Sequence, residues 1–141
     1  MKFSDVQTSD QELRLILELG FVLRDAGRLD EAETVFRGMK ELLPDSEIPA
    51  VVLGTIHLRR GRFVEAQELC AEAARLRPDS LYARVQYAEA LLFQQQRGEA
   101  ETVLREIIAT DPKSPHSRTA QALLDAAELI CAAGEAEAIA T

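Results

Sequence analysis

A chain of 141 residues with 47% apolar and 28% charged residues is one domain's worth of soluble globular polypeptide, which argues against wholesale disorder. Sixteen basic residues against 24 acidic ones leave a net charge of −8. That balance argues against a nucleic-acid partner, since phosphate binding needs a basic face, and against an anionic membrane surface. Aromatics are few (five Phe, two Tyr, no Trp), while Ala and Leu set a helix-forming composition.

The chain opens on Met1-Lys2-Phe3-Ser4-Asp5, polar and acidic, with no apolar signal-peptide core. No apolar run approaches the roughly 18 residues of a membrane span, so the expected compartment is the cytoplasm, without membrane insertion. Residues 1–9 read as an N-terminal arm. Ser9-x-x-Glu12 is a capping-box signal for a first helix.

Apolar residues then recur at helical spacing in two segments, Leu13-Ile16-Leu19-Leu23 and Ala32-Val35-Phe36-Met39. Asp25-Ala26-Gly27-Arg28 separates them, with Gly27 suited to a left-handed residue that ends the first helix. The first segment's core stripe is Ile16, Leu19, Gly20 and Leu23. Pro44 stops the second helix. The same hairpin returns twice, giving repeats at 13–46, 47–80 and 81–114. Pro44, Pro78 and Pro112 share one spacing, as do Ala32, Ala66 and Ala100. Gly20, Gly54 and Ala88 form another column, and Phe36, Cys70 and Leu104 another. The small residues let paired helices approach closely. Gly61 repeats the role of Gly27, but Gln95 stands at that position in the third hairpin and the glycine comes later, at Gly98. A looser turn is expected there. Arg84 replaces the apolar residue supplied by Ile16 and Ala50. After Pro115, Ala120, Leu123, Leu124, Ala127, Ile130 and Cys131 mark one amphipathic helix over 115–134, covering the exposed end of the third repeat. Gly134 is expected to end it, leaving 135–141 as a tail.

No catalytic constellation emerges, and the chain reads as a non-enzyme without cofactor or metal. His57 falls in a core column with Leu23 and Leu91, and His116, at the entrance of the last helix, reads as exposed. Two distant histidines and two cysteines, Cys70 and Cys131, lack zinc-ligand spacing. The cysteines read as buried reduced thiols. Asp30, Glu31 and Glu33 open a second helix, where carboxylates suit the helix dipole.

The pattern Leu53-Gly54-x-x-His57 … Gly61 … Ala66 … Cys70 … Ala73 … Pro78 resembles a tetratricopeptide repeat, as does Leu19-Gly20 … Gly27 … Ala32 … Phe36 … Pro44. The resemblance covers about residues 10–114. It implies an all-α fold, a right-handed α-α superhelix of three hairpins closed by a capping helix.

Each first helix also carries a second stripe: Leu17, Phe21 and Arg24; then Val51, Thr55 and Leu58; then Val85, Glu89 and Leu92. In tetratricopeptide proteins this stripe lines a concave groove, so the resemblance implies a binding surface, with Ile48, Tyr82 and Phe93 at its rim. Its apolar content predicts a protein or peptide partner with an apolar segment, extended or helical. An alternative is that the arm or a homodimer mate covers it. Relatives that clamp the acidic C-terminus of heat-shock chaperones carry Lys, Asn and Arg where Leu17, Phe21, Val52, Tyr82 and Gln86 stand here, which argues against that function. Size, acidity and groove character are similar to the small tetratricopeptide chaperones of bacterial type III secretion, which hold translocator or needle subunits soluble in the cytoplasm. A generic scaffold or assembly factor is the alternative, and an enzyme-accessory domain a third.

Overall fold

The computed structural model describes residues 9–140. The arm expected over residues 1–9 therefore lies outside the described residues, Ser9 apart. Seven helices follow one another: α1 (Asp10–Asp25), α2 (Leu29–Leu42), α3 (Ile48–Arg59), α4 (Phe63–Leu76), α5 (Leu81–Phe93), α6 (Arg97–Thr110) and α7 (Pro115–Ala140).

Local chemistry explains where they start. The Ser9 side chain accepts from the Glu12 N–H and the Glu12 carboxylate accepts from the Ser9 N–H, a complete capping box. Ser80 caps α5 by accepting from the Ala83 N–H. Proline occupies the first turn of α3 and opens α7, where its missing N–H has no intrahelical role.

The three hairpin turns share one geometry. Gly27 and Gly61 lie at φ +79° and +71°. Gln95 takes the same left-handed conformation at φ 60°. The closing hydrogen bonds correspond as well: Arg28 N–H to Leu23 O, Arg62 N–H to His57 O and Gln96 N–H to Leu91 O, each 2.9 Å. The looser third turn expected from Gln95 is therefore absent. A side-chain amide supplies what glycine's freedom supplies elsewhere: Gln95 Nε2 donates to Phe93 O at 2.8 Å and to Cys131 O at 3.3 Å on α7. Arg84, the other departure, pairs with Glu106 at 2.9 Å.

The repeat columns are the core. Ala32, Ala66, Ala100, Phe36, Cys70, Leu104, Met39, Ala73 and Ile107 are all fully buried. The approach of paired helices is closest at Gly54, where an added Cβ would stand 2.5 Å from Cys70 Sγ. Leu19 departs from its column: Leu53 is buried, whereas Leu19 is 52% exposed. Leu53 packs in one cluster with α1 and α2, and the first hairpin has no such predecessor among the described residues.

Helix α7 packs on both α5 and α6. It does not stop at Gly134, as the sequence suggested, but continues to Ala140. Gly134 is buried against the Phe93 backbone, so its role is close approach.

Candidate partner-binding surface

Helices α3 and α5 touch, as do α5 and α7, whereas α2, α4 and α6 have no comparable contact with one another. The first helices of the hairpins therefore form the inner face and the second helices splay outward. The candidate residues on α1, α3 and α5 sit on this inner side, but they separate into two groups.

Val51, Val85 and Leu92 are core. Each is at most 1% exposed. Val51 packs among Ala50, Ala73 and Ala83 with Tyr82 beside it, and Val85 and Leu92 pack with α7 residues Ala120, Leu123 and Ala127. The helical stripe that contains them faces the neighbouring first helix. Phe93 also leaves the groove: it stacks on Phe63 at 4.9 Å, beside the hairpin turns.

The second group keeps part of its surface: Leu17, Phe21, Arg24, Ile48, Thr55, Leu58, Tyr82 and Glu89. Leu17, Phe21 and Ile48 rest on the core between the first two hairpins. The Phe21 ring meets Phe36 edge-on at 5.3 Å. Above it lies the Arg24 guanidinium, 5.1 Å from the ring centre, which also pairs with Asp25 at 3.0 Å. Arg59 of α3 donates to the Arg24 carbonyl at 2.7 Å, which ties the end of α1 to α3. The Thr55 hydroxyl donates back to Val52 O at 2.7 Å, so its methyl is left to the groove.

Tyr82 is the polar aromatic of the face. Burial pushes its hydroxyl above the usual tyrosine range, and the Arg24 guanidinium, close enough to interact with it, pulls it back. The Tyr82 ring also lies 5.9 Å from that of His116, which is half-buried where exposure was expected. Glu89 occupies the same register as Phe21 and Thr55. Burial raises its carboxyl above the ordinary value.

The outer side carries a second concavity of about 830 Å³ between α2 and α4, with Leu53, His57 and Leu69 among its lining. His57 is the expected core imidazole, 7% exposed, with Nδ1 buried and without a hydrogen-bond partner. Its desolvation lowers its pKa, against a weaker upward pull from Glu33. Glu33, read from sequence only as a helix-dipole carboxylate, is the buried hub here. It binds Arg37, Arg60 at 3.2 Å and Arg62 at 3.9 Å. Among the described residues no group of three His, Cys, Asp or Glu is placed to hold a metal ion. No described helix is long and apolar enough to cross a membrane.

Two sequence models of the tetratricopeptide repeat match the chain, over residues 57–124 and 17–37, together more than half of it. The chain belongs to the tetratricopeptide repeat family. No curated protein matches it by sequence. Among solved structures, this tetratricopeptide protein is similar to PcrH from Pseudomonas aeruginosa, with 21% identity and a TM-score of 0.76, covering 86% of this chain and 96% of that one. It is also similar to the type III secretion chaperone SycD of Yersinia enterocolitica in complex with a peptide of the translocator YopD, with 22% identity, a TM-score of 0.73, and 86% and 95% covered. The first tetratricopeptide domain of Spaghetti (RPAP3), bound to the HSP90 peptide SRMEEVD, aligns at 18% identity and a TM-score of 0.73, covering 90% and 98%. At these identities the likeness fixes the tetratricopeptide fold, an all-α helical-repeat solenoid.

Proposed function

We propose that this chain is a cytoplasmic protein-interaction module whose inner face holds an apolar segment, extended or helical, of another polypeptide, and that it performs no chemistry itself. The observation that carries the reading is that Phe21, Leu58 and Tyr82, on the first helices of three successive hairpins, stay partly exposed. Such side chains, held rigid on adjoining helices, offer apolar area at little entropic cost to a docking segment. Within that reading, the partner is a translocator or needle subunit of a type III secretion system, kept soluble before export. The likeness to SycD with its translocator peptide over most of both chains supports this.

A scaffold or assembly factor that docks one helix of a stable complex is the second reading. Capture of an acidic chain end by a cationic clamp is disfavoured, because the positions for those cations hold Leu17, Phe21, Val52, Tyr82 and Gln86.

Co-expression with the products of neighbouring genes tests the proposal. A chaperone renders an otherwise insoluble small partner soluble in a one-to-one complex, whereas a scaffold's partner is soluble alone. Thr55→Arg, which fills the groove from a partly exposed position, should abolish either complex; an undiminished complex would refute the groove.

A further inference from the structure

The inner face carries one carboxylate, Glu89, for which no ion pair is formed among the described residues. Glu89 sits in the register of Phe21 and Thr55, on α5 and on the inner face that the proposed partner would cover. Each hairpin contributes one residue to that register.

Three arginines of the inner helices α1, α3 and α5 are committed elsewhere. Arg24 pairs with Asp25 and covers the Phe21 ring, and its backbone carbonyl is held by the Arg59 guanidinium. Arg84, on the same helix as Glu89, pairs with Glu106 on α6. Cys70 of α4 is near enough for the Glu89 charge to act on it, and burial first of all holds its thiol protonated. A partly buried carboxylate without a counter-ion is unfavourable as long as the groove is empty. It becomes favourable when an incoming donor, brought under a covering of apolar residues, completes the pair in a water-poor setting.

We infer that the segment held in this groove carries a lysine or arginine flanked by apolar residues, and that this cation seats on Glu89. This rests on the groove reading above and deepens it. The groove then works with the opposite polarity to a cationic clamp for acidic chain ends: apolar walls select apolar neighbours, and one carboxylate fixes the register of the bound segment along the face.

The test uses a phage-displayed library of random twelve-residue peptides, selected in parallel on the native chain, on Glu89→Gln, on Glu89→Lys and on Thr55→Arg, each checked for folding by circular dichroism. On the native chain, selected sequences should carry Lys or Arg between apolar residues. That preference should vanish on Glu89→Gln and turn to Asp or Glu on Glu89→Lys. Replacing the basic residue of a selected synthetic peptide by norleucine should weaken binding about tenfold to the native chain and leave binding to Glu89→Gln unchanged. Apolar sequences that need an open Thr55 position but show no basic preference would overturn this inference and leave the groove standing. Selection of the same sequences on Thr55→Arg, or of none on the native chain, would overturn both.

Discussion

Gly134 of α7 lies so close to Phe93 at the end of α5 that a Cβ on it would stand 2.1 Å from the Phe93 carbonyl oxygen. That oxygen also accepts the Gln95 amide, so nothing flexible is available to yield. Gly134→Ala should push α7 outward and destabilise the protein by about 2 kcal/mol, lowering Tm by roughly 5–10 °C. Hydrogen exchange should show the loss concentrated in α7. An unchanged Tm would mean that the close contact does not hold the helix.

Gln95 separates two contributions to the third turn. Gln95→Ala keeps the left-handed backbone and removes the amide bridge, and should cost about 1 kcal/mol. Gln95→Gly removes the same bridge but relieves the backbone, and should lie close to the native protein in denaturant unfolding. If the two variants were equally destabilised, the left-handed conformation would carry no cost here.

His57 gives stability a pH dependence with a definite sign. Unfolded, it titrates near 6.5; folded, burial holds it lower. Below about 6.5 the unfolded chain binds a proton that the native chain resists. The contribution is therefore complete above that value and declines as pH falls towards the folded pKa. His57→Leu, the residue type of its repeat partners Leu23 and Leu91, should flatten the decline between roughly pH 7 and 5 and add about 1 kcal/mol at neutral pH by removing the orphaned Nδ1. Glu89, raised in the fold, acts in the opposite direction but is common to both proteins. Urea unfolding across this range reads the difference.

Glu33 holds three guanidiniums, two of them across the hairpin boundary. Glu33→Ala should cost roughly 1 kcal/mol, because Arg60, only 18% exposed at its side chain, loses its buried partner but keeps the exposed Asp30 at 2.7 Å. Glu33→Gln, which keeps the shape, should recover part of that loss.

Cys70 should resist alkylation in the folded protein, since burial pushes its thiol up to about 12. Cys131, half-buried and raised to a lesser degree, should react first. Mass spectrometry after timed labelling with iodoacetamide resolves the order.

The repeat was legible because each column reports a contact made three times over. Phe36, Cys70 and Leu104 differ in type yet fill the same place, and only the spacing reveals it. What repetition could not report lay where symmetry breaks. Leu19 matches its column, but its outer side lacks the preceding hairpin that buries Leu53. Gly134 resembles a helix terminator by type, and only the path of α7 across Phe93 shows it to be a notch. The inner stripe falls on α1, α3 and α5, but Val85 and Leu92 are covered by α7, which has no counterpart in the repeat. Glu89 was in the stripe from the start. That it forms no ion pair among the described residues is a matter of packing, which no spacing encodes.

The Gln95 bridge to Cys131 has a consequence for synthesis. The turns of the first two hairpins close on glycines, which make no side-chain bond to a later helix of the kind Gln95 makes. The third adopts its turn with help from a carbonyl 36 positions later. A chain emerging N-terminus first can therefore set two hairpins as they appear, but waits for its final segment before the third is secured. The inner face, whose last wall is α5, is then finished in a single late step, and an incomplete chain offers a partner only the beginning of the surface.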